Sequence, residues 1–156
     1  MAVDPPSSVS PHRAPVPLAE CALARAIETI GDGWTLLILR EALCRVERFD
    51  AIRDDLGIPR SVLAERLNRL VAEGILEHRP YREPGRRPRK GYVLTTKGLA
   101  LVPTLVALRH WAEGNLPGGR SRLRLQTPDG QEVFTCLMRA DGSVLDDPAD
   151  VTAAAS

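Results

Sequence analysis

No run within the 156 residues approaches the roughly 18–20 uninterrupted apolar side chains that crossing a bilayer requires, so no membrane-spanning helix is expected. The opening stretch, MAVDPPSSVSPHRAPVP, lacks the basic and apolar regions of a secretory leader, and a cytoplasmic location is expected. Cysteine is scarce. Cys21, Cys44 and Cys136 are odd in number and stand at no metal-like spacing, which speaks against a disulfide framework. His12, His78 and His110 fall in unrelated contexts, and no Ser/His/Asp, Cys/His or metal constellation can be assembled from the chain. Gly-Asp-Gly at 31–33 reads as a helix boundary, not a phosphate loop. An enzyme therefore finds little support, and neither a cofactor nor a metal is expected.

Net charge is almost absent too, at +1, but its distribution is uneven. Residues 20–120 carry 17 basic against 13 acidic side chains, and residues 121–156 carry 3 against 6. The sharpest cluster is RPYREPGRRPRK at 79–90, where Arg79, Arg82, Arg86, Arg87, Arg89 and Lys90 face the single acid Glu83. Such a patch attracts polyanions. Residues 1–17 hold five prolines and hardly any large apolar side chain, so a disordered tail is expected there. A folded domain is expected over 18–115, followed over 116–156 by an extension with a hairpin and a flexible end.

Within the folded part, Leu23, Ile27 and Ile30 make one stripe of an amphipathic helix that stops at Gly31. Asp32 is placed to cap a second helix, WTLLILREAL, apolar almost all round and therefore expected at the buried centre, with Cys44 at its end in the core. Asp50 is expected to cap a short helix, AIRDDL, closed by Gly57 in a left-handed conformation. The next helix, 59–73, has Pro59 in its first turn, Leu63, Leu67 and Leu70 on one stripe, and Gly74 at its end. ILEHRPY and GYVLT read as two strands joined by the basic loop REPGRRPRK. Thr95 is expected to cap one long helix over roughly 96–114, which Pro103 bends. Residues 122–137 alternate around a Pro-Asp-Gly turn and read as an appended hairpin. The fold class is thus mainly α with a small β-hairpin wing, a winged helix-turn-helix.

At about 100° per residue, Ser61, Glu65, Asn68 and Ala72 fall opposite the leucines of helix 59–73, with Arg69 beside them and Arg60 and Arg66 at the margins. Short polar groups and arginines suit a helix entering the ~12 Å major groove. The candidate base-reading set is Arg60, Ser61, Glu65, Asn68 and Arg69, in which Glu65 accepts from a cytosine amino group or pairs with Arg69. Arg86, Arg87, Arg89 and Lys90 are expected at the wing tip, reaching phosphates or a minor groove. Pro84 and Pro88 restrict that loop before it binds. Either feature alone is commonly just a solvated surface; their order along the chain is what singles out double-stranded DNA as the partner. The last helix carries more apolar faces than one core needs, so Leu101, Leu105 and Leu108 are candidates for a two-fold interface.

The segments CALARAIETIGDGWTLLILREAL, RFDAIRDDLGI, VLAERLNRLVAEGILEHRPY and GYVLTTKGLALVPTLVALRHWAE together resemble the HxlR-type winged-helix transcriptional regulators over about residues 20–114. The telling positions are Cys21, Gly31 with Trp34, Arg48-Phe49, Leu63 with Glu65-Arg66-Leu67, Tyr81, and Leu94-Thr95-x-Lys97-Gly98. The resemblance implies a cytoplasmic DNA-binding homodimer of bacterial type, built through the first and last helices and acting on a roughly palindromic operator. Three departures stand out. Pro59 replaces a frequent serine, Gly91 replaces an acidic residue and leaves the wing base more positive, and only Cys136 remains of a cysteine pair, so no zinc is expected there. In some relatives the residue equivalent to Cys21 senses oxidants or electrophiles; a small apolar residue packed at the dimer seam is the favoured reading here. The alternatives left open are a ligand-responsive regulator of MarR or PadR kind, with an unidentified small-molecule effector, and a winged-helix interaction module that binds no DNA.

Overall fold

The computed structural model describes residues 14–85 and 87–154, in two units. One unit joins the described part of residues 1–29 to residues 136–154, and the other spans residues 30–135. Of the tail expected over 1–17, residues 1–13 lie outside the described residues, and 14–17 form no helix or strand.

In the first unit a 3-10 turn, Leu18–Glu20, leads into helix α1, Ala22–Ile30, on which no residue is fully buried. Leu23 and Ile27, two thirds of the expected stripe, stand exposed. A small hairpin that the alternation did not announce pairs β3, Leu137–Met138, with β4, Val144–Leu145.

The second unit carries the winged helix-turn-helix. Helix α2, Gly33–Leu43, starts where Asp32 accepts from the Thr35 amide at 3.1 Å, as its capping position implies. Ile38, Leu39 and Ala42 are buried, and so is Glu41, which pairs with Arg40. The end of α2 corrects the assignment of Cys44 to the core, because this thiol is exposed. The Arg45 and Val46 amides fold back onto the Ala42 and Glu41 carbonyls, a Schellman closure with Arg45 at φ 61 where glycine is usual. That turn lifts Cys44 out of the core.

Helix α3, Phe49–Leu56, begins two residues earlier than a cap at Asp50 implied. Arg48 occupies the cap position without a side-chain bond, and Asp50 lies in the first turn instead of capping it. Gly57, at φ 62, ends α3 in the left-handed conformation expected of it. Helix α4, Arg60–Ala72, follows, and Leu63, Leu67 and Leu70 are all buried against Ile38, Leu39 and Ile52. Strand β1, Leu76–Tyr81, pairs antiparallel with β2, Arg89–Leu94, from Leu76↔Leu94 out to Tyr81↔Arg89.

The long helix expected over 96–114 is two helices. Thr95 does cap the first, α5, Thr96–Leu99, but α6 starts afresh at Val102 and runs to Asn115. Pro103 sits in the first turn of α6, where its missing N–H costs nothing, so it starts a helix instead of bending one. The hairpin expected over 122–137 is reduced to a turn. Thr127 and Gln131 bond across it at 2.8 Å and Gln126 bridges Glu132, but no strand forms within 122–136. Arg109 of α6, almost buried, holds this segment by donating to the Leu123 carbonyl at 3.0 Å and to Glu132 at 3.1 Å.

Candidate nucleic-acid interface

The inner leucines fix how α4 is turned. With Leu63, Leu67 and Leu70 against the body, Arg60, Ser61, Glu65, Asn68 and Arg69 all fall on exposed positions. All five residues chosen for base reading are therefore exposed, with Ser61, Glu65 and Asn68 opposite the leucines and Arg60 and Arg69 on the two flanks. Glu65 pairs with Arg66 at 2.6 Å. Arg66, expected at the margin of that face, bridges from it to the body: the same guanidinium donates from Nε to Asp32 at 3.1 Å.

The C-terminal end of α4 is held by backbone geometry. At the C-terminus the Gly74 amide bonds the Val71 carbonyl and the Ile75 amide bonds the Leu70 carbonyl, with Gly74 at φ 67. The segment after β2 then closes over that end. The Thr95 hydroxyl donates to the Gly74 carbonyl at 2.6 Å, the Thr95 amide donates to the Ile75 carbonyl at 3.1 Å, and Lys97 Nζ donates to the Glu73 carbonyl at 2.6 Å. Gly98 lies against the Ile75 carbonyl so closely that a Cβ there would stand 2.3 Å from its oxygen. Thr95, Lys97 and Gly98 thus serve the interface by fixing the helix that carries it. Their sequence signal is the Leu-Thr-x-Lys-Gly spacing, which marks a helix start and the family resemblance but not this closure over α4.

At the middle of α4 the anchor is Asp32, through Arg66. Burial alone would raise its carboxyl pKa, but the hydroxyl and amide of Thr35 and the Arg66 guanidinium outweigh this and hold it below its ordinary 3.8. A carboxyl lowered on folding contributes stability that is whole above its unfolded value and lost as pH falls through the folded one. The protein should therefore lose stability below about pH 4, and Asp32→Asn should flatten that limb relative to the wild type in urea titrations at stepped pH.

The wing differs from its expected form at one point. Arg89 and Lys90 are not at the loop tip but on β2, facing Tyr81 and Pro80 across the ladder. Strand pairing is a backbone property and needs no apolar side chain, so the alternation gave no sign of it. Arg87 remains in the connecting loop and is exposed, whereas Arg86 lies outside the described residues. The base of the wing is braced by the loop before α3. The Tyr92 amide donates to the Glu47 carbonyl at 2.8 Å, and Arg79 pairs with Glu47 at 3.0 Å. Gly91 allows this approach, since an added Cβ would lie 3.2 Å from the Glu47 oxygen. Arg48 stacks over the Tyr81 ring at 4.8 Å and reaches Glu83 at 2.5 Å. Arg60, at the start of α4, lies over Phe49.

The remaining candidates fall elsewhere. Leu101 and Leu105 are half-buried and pack on the core, whereas Leu108 is exposed on α6 together with Trp111. In the other unit Cys21 is half-buried, and its carbonyl accepts from the Arg25 amide at the start of α1. Among the described residues no group of three His, Cys, Asp or Glu side chains could hold a metal ion, and no helix is long and apolar enough to cross a membrane.

Comparison with known proteins bears on this geometry. The family profile described as HxlR-like helix-turn-helix matches residues 29–119. An uncharacterised HTH-type transcriptional regulator of Mycobacterium tuberculosis, Rv3095, is 42% identical over 96 residues, 62% of this chain. The chain spans 60% of that relative's length. The crystal structure of PA1607, described as a candidate transcription factor, superposes with a TM-score of 0.74 at 37% identity, covering 88% of this chain and 96% of that one. A second structure so described, PA1374 from Pseudomonas aeruginosa, gives a TM-score of 0.57 at 32% identity over 87% of this chain and 92% of its own.

Proposed function

The chain belongs to the HxlR-like helix-turn-helix family, and from that premise we propose that it regulates transcription by binding duplex DNA, with α4 in the major groove and the wing on the flanking backbone. The observation that carries this is the division of α4 into three buried leucines and five exposed polar or charged side chains. Ser61 and Asn68 are short groups suited to base edges, and Arg60 and Arg69 suit guanine or phosphate. The wing adds Arg87, Arg89 and Lys90 for phosphates, which position the protein without reading sequence.

The acting species is a homodimer on a roughly palindromic operator. Leu23 and Ile27 of α1 and Leu108 and Trp111 of α6 are exposed apolar side chains of the kind a second copy covers. Two copies of α4 would then address half-sites about 34–36 Å apart, one turn of DNA. Cys21 packs near that seam in this reading, and no effector is assigned.

Selection of genomic fragments followed by footprinting and salt titration tests the proposal. The expected result is a protected site with two-fold symmetry and an affinity that falls log-linearly with salt. Arg87→Ala should weaken binding to every duplex and make the salt slope shallower by about one. A protein that binds no duplex, or binds with no dependence on salt, refutes the reading and leaves the interaction module in its place.

A further inference from the structure

One carboxylate at the interface is shared by three guanidinium groups from three elements. Asp50 Oδ1 lies 3.4 Å from Arg53 Nη1 and 3.8 Å from Arg60 Nη1, and Asp50 Oδ2 lies 3.5 Å from Arg89 Nη1. Arg53 belongs to α3, Arg60 opens α4, and Arg89 opens the second strand of the wing. Arg53 is also held by Asp54 at 2.7 Å. The other two are not held closely. Their distances to Asp50 exceed the 2.7–2.9 Å of a charge-assisted hydrogen bond, so neither guanidinium is saturated by it. Around them lies a recess of about 410 Å³ lined by Phe49, Asp50, Arg60, Tyr81, Arg89 and Lys90. Its rim carries three cations against one anion. The ring of Phe49 lies beneath the Arg60 guanidinium, 5.1 Å away, and limits where that group can swing.

We infer that this recess takes one phosphate group of the DNA backbone between Arg60 and Arg89, and that Asp50, the carboxylate these two arginines share in the free protein, opposes that phosphate. The inference rests on the DNA-binding reading and adds to it the point where recognition helix and wing grip the same strand. In the complex the Asp50 charge opposes the incoming phosphate, which weakens binding to every duplex equally and leaves discrimination to the side chains facing base edges. A structural role in the first turn of α3 would not couple Asp50 to the two arginines or alter a salt slope.

The test compares wild type, Asp50→Asn, Arg60→Ala/Arg89→Ala and the triple variant, by anisotropy on a selected and a random duplex over a range of salt. Asp50→Asn should bind both duplexes about threefold to tenfold more tightly at low salt. Its salt slope should steepen by up to about one. Asp50→Ser should shift both in the same direction, and in the Arg60→Ala/Arg89→Ala background the gain should vanish. Unchanged or weaker binding by Asp50→Asn, or the same gain without the two arginines, overturns the inference. A parallel titration of the free proteins with inorganic phosphate, followed by amide NMR, separates it from the premise. Shifts concentrated at residues 60, 89 and 90, and larger in Asp50→Asn, support the recess. If they occur while neither duplex binds, the DNA assignment fails and an anion site stands. If duplexes bind while the shifts scatter, the recess fails alone.

Discussion

Replacing Gly98 by alanine should destabilise the protein by roughly 3 kcal/mol or more, at the upper end of what one added methyl does in a packed interior. For a chain of this size that lowers the melting temperature by about 10 °C. The added Cβ would meet the Ile75 carbonyl oxygen at 2.3 Å and Leu94 Cδ2 at 2.9 Å. The leucine methyl can rotate aside. The carbonyl cannot, because it already accepts from the Thr95 amide at 3.1 Å and the Thr95 hydroxyl at 3.2 Å, and the Ile75 amide closes the end of α4 on the Leu70 carbonyl at 2.9 Å. Relief of the clash therefore opens either the α5 cap or the C-terminus of the helix proposed to read DNA. Duplex affinity should fall with stability, even though Gly98 is buried and outside the proposed interface. Gly33→Ala is the control. It lies in α2 with nothing within 4 Å of an added Cβ, and should be neutral or stabilise by up to about 1 kcal/mol. Urea denaturation followed by far-ultraviolet circular dichroism measures both. A loss below about 1 kcal/mol for Gly98→Ala would mean that the chain slackens here without cost.

What could be read from the sequence was what depends on neighbours along the chain. Asp32, Gly57, Gly74 and Thr95 act within a turn of helix, and each has the role its position implied. The leucine stripe of α4 is likewise a matter of spacing alone. The readings that failed needed a partner far away or a competing local rule. The i, i+4, i+7 spacing of Leu101, Leu105 and Leu108 belongs to α6 alone, from its cap onward, so it carried no sign that Thr96–Leu99 is a separate helix and that Pro103 opens a second. Cys44 follows an apolar helix and looks like core until Arg45 adopts a left-handed turn that nothing but structure discloses. Arg66 lies at the margin of the outward face on a helical wheel and pairs there with Glu65, but its second carboxylate partner, Asp32, is 34 residues earlier and no wheel could show it. The Asp50 cluster joins α3, α4 and the wing, and no local pattern could have assembled it.

Leu67 and Asn68 separate folding from recognition within one peptide bond. Leu67 has no exposed surface and Asn68 is exposed, about 100° further round the same helix. Leu67→Ala should cost about 2–5 kcal/mol, the transfer energy of the lost groups plus the cavity left among Ile38, Leu39, Ile52 and Leu63. Asn68→Ala removes no buried contact and should change stability by less than about 0.5 kcal/mol. Its effect should appear in binding, as a loss of roughly 1–3 kcal/mol of preference for the correct base at one position of each half-site, with binding to random duplex unchanged. Under conditions where Leu67→Ala is still folded, it should keep that preference, because the outward side chains are untouched and only the helix's support is weakened. Denaturation curves and competition against single-base variants of the selected duplex read the two effects independently. If Asn68→Ala unfolds the protein, or if base preference is lost in Leu67→Ala and kept in Asn68→Ala, then the polar side of α4 is not what faces the bases.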